Sequence, residues 1–71
     1  MFTFTVREPA SVTLQVFDLA GRSVATLLRE QWLAPGPHQV EFRHDGLPSG
    51  LYLGRLRIGP EIFSRKMFVR D

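Results

Sequence analysis

The chain has 71 residues, no cysteine, and a net charge of +2. This length predicts one small domain, residues 1–71, that buries only about 60% of its unfolded surface. Without cysteine the chain forms no disulfide and no thiolate metal site. The charge is small and its eight arginines are spread along the chain, which argues against nucleic acid as a partner. No apolar run reaches the roughly 18 residues of a membrane span, and no signal peptide opens the chain.

The N-terminal residues alternate between apolar and polar side chains. Phe2, Phe4 and Val6 are separated by threonines, which predicts a short strand, and Pro9 ends it because proline cannot donate to a strand ladder.

The segment from Val12 to Leu28 predicts a β-hairpin. Val12, Leu14 and Val16 fall on one face of a strand, because side chains alternate along a strand with a period of two. Asp18 starts a turn and accepts backbone N–H groups just ahead of it, while Gly21 takes the positive φ of the reversal. Apolar residues then resume at Val24. A helix starting at Arg22 is the alternative for this second half, since Val24, Leu27 and Leu28 also fit helical spacing.

The middle of the chain predicts a loop and then a strand. Arg29–Pro37 is interpreted as a loop because Pro35-Gly36-Pro37 disfavours regular structure, with Trp32 and Leu33 covering one end of the core. Val40 and Phe42 alternate with polar residues and predict the next strand, and the residues from His44 to Gly50 are dense in turn formers.

Two further strands close the chain. Leu51–Ile58 is predicted to be a strand. One face carries Tyr52, Leu56 and Ile58, and the other face carries Gly54, Leu51, Leu53, Arg55 and Arg57. After the Gly59-Pro60 turn comes a strand from Ile62 to Val69 whose register is ambiguous. Either Phe63, Met67 and Val69 face the core or Lys66 and Phe68 do, unless a bulge accommodates both. These elements predict an all-β fold, a small antiparallel immunoglobulin-like β-sandwich of six to seven strands.

The sequence contains no recognisable catalytic or cofactor motif, so we expect no enzyme. His38 and His44, with Glu41 and Asp45, would make at most a weak metal site, and the interpretation as polar residues at strand ends is preferred. Ser49, His44 and Asp45 are too close in sequence to build a catalytic triad easily. We therefore predict no catalytic residue, no metal and no cofactor.

Two aromatic residues raise the alternative of a carbohydrate-binding module, in which exposed rings form platforms for sugars. Tyr52 is expected in the core because it shares a strand face with Leu56 and Ile58. Trp32 is expected to be the more exposed, and one ring is a thin basis for a sugar site.

Four short motifs follow one another along the chain. They are Asp18-x-x-Gly21-Arg22, Gly36-x-His38, Ser49-Gly50-x-Tyr52 and Lys66-Met67-x-Val69. In this order they resemble the C-terminal sorting domain of type IX secretion. They are also similar, through the first and third motifs, to the immunoglobulin-like domain of flagellar hook-capping proteins. The sorting family usually opens with a proline-asparagine-proline stretch and an extra first strand, and this sequence starts inside that region at Phe2.

The resemblance implies a non-catalytic address on an exported protein. Its partners would be the outer-membrane type IX translocon and sortase components, with an upstream cargo domain, such as a secreted hydrolase, in the same polypeptide. The localisation would be the periplasm in transit, then the cell surface or the medium. The resemblance places recognition in the last strand, at Arg65, Lys66, Met67, Phe68, Val69 and Arg70. The residues of the other three motifs would mainly build the sandwich.

Edge-strand pairing is the mechanism that we predict for this recognition. It fails if the last strand is central and fully paired. The same edge would also allow dimerisation. An immunoglobulin-like spacer or assembly module without a sorting role is the main alternative function.

Overall fold

A computed structural model describes residues 1–43 and 46–70 of the chain. The described residues form six strands and no helix, and therefore contain no helix that could span a membrane. The strands are β1 Phe2–Val6, β2 Ala10–Phe17, β3 Ser23–Leu33, β4 Gly36–Val40, β5 Gly50–Ile58 and β6 Glu61–Val69.

The strands form two antiparallel sheets, which confirms the predicted all-β sandwich. The larger sheet has the order β3-β2-β5-β6, and the smaller one pairs β1 with β4. The Val12–Leu28 hairpin is confirmed as β2 and β3, so the helical alternative beyond Arg22 is wrong.

The core lies between the inner face of the larger sheet and the β1–β4 pair. Val12, Leu14 and Val16 are almost fully buried, as their alternation predicted. Val16 packs with Tyr52 and Val69, and Phe2 covers this cluster from the smaller sheet. Two neighbouring central strands, β2 and β5, thus supply most of the buried face.

The predicted loop Arg29–Pro37 is wrong over most of its length. β3 continues to Leu33, and β4 already starts at Gly36. Pro37 is tolerated there because, among the strands that the structure describes, β4 pairs with β1 alone and has a free edge, where a missing N–H costs no ladder bond. Leu33 is half-buried, but Trp32 is 70% exposed and does not cover the core.

The strand predicted around Val40 and Phe42 lies earlier in the chain. Phe42 follows β4 and packs against Phe2, with ring centroids 6.1 Å apart. The Phe42 side chain therefore packs in the core from outside β4, although the alternation of apolar and polar residues predicts that it belongs to the strand.

Gly54 does not lie on the outer face of β5. It is buried beneath Phe2 on the same face as Tyr52 and Leu56, as strict alternation along the strand requires. The outer-face assignment was wrong because a residue without a side chain shows no apolar signal.

The register of β6 is regular. All nine residues pair with β5 without a shift, from Glu61 opposite Ile58 to Val69 opposite Gly50, so no bulge is needed. Val69 is buried and Met67 half-buried, whereas Lys66 and Phe68 point outward. Phe63 shares the inner face but remains 50% exposed, and it borders a groove that Met1–Thr3 also line.

Candidate functional site: the free edge of the last strand

The candidate site is the outer edge of β6. Within residues 1–43 and 46–70, β6 pairs with β5 alone and forms one edge of the larger sheet. Its other side presents a row of backbone N–H and C=O groups of the kind that accepts an added strand. The edge position is the one that the strand-pairing hypothesis requires.

The six predicted recognition residues divide between the two faces of the sheet. Met67 and Val69 point inward and hold β6 on the core, where Val69 is only 3% exposed. Arg65 is opposite Gly54 on the inner face but remains exposed. Lys66 and Phe68 lie on the outer face, and Arg70 follows the strand; all three are exposed. Val69 is therefore unavailable to a partner's side chains.

The outer face of β5 and β6 is apolar and basic. Phe68 is 65% exposed beside Leu51, and Lys66 lies opposite Leu53. Arg55 stacks over the Phe17 ring at 5.0 Å from its centroid. Among the outward-facing residues of β2, β5 and β6, three are cations and none is acidic; the cations are Arg55, Arg57 and Lys66. This face favours a partner that is acidic or apolar.

The first motif builds the turn between β2 and β3. Oδ1 of Asp18 accepts the backbone N–H groups of Ala20 at 3.0 Å and Arg22 at 2.9 Å, and Oδ2 accepts Nε of Arg22 at 3.1 Å. Gly21 has a φ of +88° and donates its N–H to the Asp18 carbonyl. The predicted positive φ and the predicted backbone hydrogen bonds to Asp18 are both confirmed, and the Arg22 guanidinium bridges to the same carboxylate, so these residues shape the hairpin.

Acid titration of this turn gives a testable prediction. The backbone N–H of Arg22 lowers the pKa of Asp18 below its ordinary value, against an opposing desolvation, and the Arg22 guanidinium and the Ala20 N–H add to the lowering. Because the pKa of Asp18 is lower in the folded state, the ionised carboxylate stabilises the fold at pH values above its unfolded-state pKa. This contribution is lost as the pH falls through the folded-state pKa. Asp18→Asn should therefore lower the melting temperature at pH 7, with a difference from wild type that shrinks below about pH 4.

The control for this titration is Glu8→Gln, which removes one exposed carboxylate elsewhere and changes the net charge equally. A gap between wild type and Asp18→Asn that stays constant down to about pH 2 would contradict the assignment.

The other motifs also have packing roles. His38 donates from Nε2 to the Ala34 carbonyl at 2.7 Å and stacks on Phe4 with ring centroids 5.7 Å apart, which closes the β3–β4 connection. Tyr52 donates its hydroxyl to the Pro48 carbonyl at 2.6 Å. Ser49 is exposed before β5, which begins at Gly50.

The strand register places these motifs at two ends of the sandwich. The Asp18–Arg22 turn and Gly50 lie at the same end as Val69, because Phe17 pairs with Leu53 and Gly50 with Val69. Gly36 lies toward the other end, opposite Val6. The motif residues therefore form no single cluster.

Sequence reasoning missed a groove on the inner side of β6. Its volume is about 470 Å³, and it lies between Met1–Thr3 and the β6 segment Phe63–Arg65, with Leu14 and Leu56 at its base. Phe63, an aromatic residue in the last strand, could have indicated this groove. The sequence does not show how the smaller sheet packs beside it, and this packing decides whether the ring is exposed.

His44 and Asp45 lie outside the described residues, so the structure gives no account of the weak metal site or the triad that would include them. Within the described part of the chain, no three His, Asp or Glu side chains are grouped for a metal ion. Trp32 is exposed, as predicted, and borders a second groove with Arg7 and Pro60.

Comparison with protein-family models, with curated proteins and with solved structures finds no match for this chain. The resemblance to sorting domains therefore stays a prediction from the four motifs.

Proposed function

We propose that this chain is a non-catalytic sorting module that directs an exported protein through the outer membrane by type IX secretion. The observation that carries the proposal is β6, an edge strand with nine consecutive residues in register and one side unpaired within the described residues. The last of the four motifs, Lys66-Met67-x-Val69, lies on this strand.

Strand addition gives each residue of the motif a role. Backbone groups of β6 pair with a strand of the translocon, and side chains that alternate along the strand supply specificity. Met67 and Val69 fix β6 to the core, whereas Lys66 and Phe68 are presented outward beside Arg70.

The proposal includes a relationship between this module and immunoglobulin-like domains. The Tyr52 hydroxyl bonds to a carbonyl four residues upstream at the start of β5. This resembles the tyrosine corner of immunoglobulin-like sandwiches.

In the proposed function, the cargo domain precedes the module in the same polypeptide. The protein passes through the periplasm, and a sortase acts on it at the cell surface.

The test is the localisation of a reporter in a type IX-competent host. The reporter has a signal peptide at its N-terminus and this domain at its C-terminus. Deleting the residues after Arg65 would remove the buried Val69 and unfold the domain, so charge reversal is the sharper change. We expect the parent fusion at the surface or in the medium. Lys66→Glu combined with Arg70→Glu should reduce delivery by about ten-fold, with the fusion retained in the periplasm.

The matched control is Arg7→Glu combined with Arg29→Glu, which changes the net charge equally at two exposed arginines outside the Lys66–Arg70 end of β6. It should be delivered like the parent. Equal delivery of both double variants would contradict recognition through β6. Periplasmic retention of the folded parent itself would favour the spacer or assembly module instead.

A further inference from the structure

The two edges of the larger sheet differ in regularity. Along β3 the pairing with β2 shifts three times, and Glu30 has a φ of +44°, which is unusual for a residue other than glycine. Such bulges twist an edge away from further pairing. Along β6 the pairing with β5 has no shift. The regular β6 edge is therefore the one suited to strand addition.

The first half of β6 combines exposed apolar residues with charges of both signs. Ile62 is 58% and Phe63 50% exposed. Glu61, Phe63 and Arg65 all lie on the inner face, opposite Ile58, Leu56 and Gly54. An acidic residue, an aromatic residue and a basic residue thus occur in order at every second position.

We propose that β6 pairs antiparallel with β6 of a second copy of this chain, with Phe63 opposite Phe63 of the second copy. In this register Glu61 is opposite Arg65 of the second copy, and Arg65 is opposite its Glu61. The contact is isologous, so each charge pair occurs twice, as two-fold symmetry requires. Opposite charges directly across two strands stabilise the pairing.

The charges of β6 select this register. A two-fold axis perpendicular to the sheet places one residue of β6 opposite its own copy. Centring on Arg65 or Lys66 sets two like charges face to face, which destabilises a strand pair. Centring on Ile62 or Ser64 leaves Glu61 without a basic residue opposite. Of the five centres compared, only Phe63 places Glu61 opposite Arg65 of the second copy.

The groove beside β6 supports the same centre. Phe63 lines it together with Leu14 and Leu56, so the ring already borders an apolar surface. Two Phe63 rings across the axis would continue this surface from one copy into the other. Aromatic cross-strand pairs of this kind stabilise antiparallel strands.

Sedimentation of the purified chain over a concentration series measures the dimer. We expect a weak, concentration-dependent dimer of the wild type. Glu61→Arg and Arg65→Glu should each weaken it by about ten-fold, because each change sets like charges opposite one another at two positions. An equimolar mixture of these two variants should dimerise again, because the arginine introduced into one chain then meets the glutamate introduced into the other. A wild type that stays monomeric at millimolar concentration, or a mixture that stays as weak as the single variants, would overturn the proposal.

A cysteine pair gives a second measurement that does not depend on charge. The chain contains no cysteine, so a single introduced thiol reports on one position. Phe63→Cys places two thiols directly opposite each other, with Cα atoms roughly 4.5–5.5 Å apart, and should form an intermolecular disulfide on mild oxidation. The control Ser64→Cys lies opposite Ile62, so its own copies are separated by more than about 7 Å and should not cross-link. Circular dichroism verifies that both variants are folded, and cross-linking at Ser64 rather than Phe63 would refute the register.

This inference concerns the same edge as the proposed function but does not rest on it. The dimer is measured on purified protein with changes at Glu61, Phe63 and Arg65. The sorting assay uses changes at Lys66 and Arg70, so failure of one proposal is distinguishable from failure of the other.

Discussion

Gly54→Val is expected to lower the free energy of unfolding by about 2–3 kcal/mol. A Cβ atom at Gly54 would lie 3.0 Å from Cε1 of Phe2 and 3.4 Å from Sδ of Met67. Phe2 lies on β1, the strand that closes the sandwich over this part of β5, so the Phe2 ring has to move from its packed position to admit the added side chain. Denaturation with urea, followed by circular dichroism, measures the change in stability.

A double-mutant cycle identifies the clash. In a Phe2→Ala background the ring is absent, so Gly54→Val should cost at least about 1 kcal/mol less than in the wild type. Arg57→Val is the matched control, because it introduces the same side chain on the exposed face of the same strand and should change stability by no more than about 0.5 kcal/mol. A Gly54→Val variant as stable as this control would contradict the packing of Phe2 over Gly54.

Tyr52→Phe is expected to cost about 1–2 kcal/mol, although it removes one oxygen atom. The Tyr52 ring is buried in the core, and its hydroxyl donates to the Pro48 carbonyl at 2.6 Å. Phenylalanine keeps the ring but leaves the carbonyl of a part-buried hydrogen bond without its donor, and a polar group that loses its partner where water is partly shielded costs more than the net gain of its hydrogen bond.

Hydrogen exchange separates a local from a global effect of this change. The bond ties the segment before β5 to the strand, so Tyr52→Phe should speed exchange at Gly50 and Leu51, where β5 begins, more than at Val16 in the centre of the sheet. A stability change below about 0.3 kcal/mol would mean that water replaces the lost donor, which contradicts the structural role assigned to the hydroxyl.

The faces of β2 could be predicted from the sequence because a central strand under a covering sheet obeys strict alternation. The alternation of Val12, Leu14 and Val16 with polar residues was sufficient to assign them to the inner face. The turn at Asp18 and Gly21 was also predictable, because its geometry depends on local backbone preferences and on hydrogen bonds within five residues.

The path of β3 could not be predicted in the same way. Its three register shifts move apolar residues between positions of different parity, so Val24, Leu27 and Leu28 acquire a spacing that a helix would also give. Pro37 likewise favours a loop in sequence reasoning, but a free strand edge accepts it. The helical alternative for β3 and the loop assigned at Pro37 both arise because the pairing partner, and not the segment itself, decides the outcome.

The candidate site was predictable in part. The motifs located the last strand, and the structure places that strand at an edge. The motifs did not indicate that Val69 is a core residue, or that Glu61, Phe63 and Arg65 share an exposed inner face. These properties depend on how the smaller sheet packs against the larger one, which the sequence of β6 does not show.

The bulged β3 edge also limits how far association can proceed. An assembly that grows without end needs two complementary edges on each unit, so that every added copy offers a new surface. Here the larger sheet has its irregular edge at β3 and its regular edge at β6. Once β6 is occupied, the joined sheet ends in a β3 strand on both sides. In the proposed dimer, growth through the larger sheet would therefore stop after one pairing event.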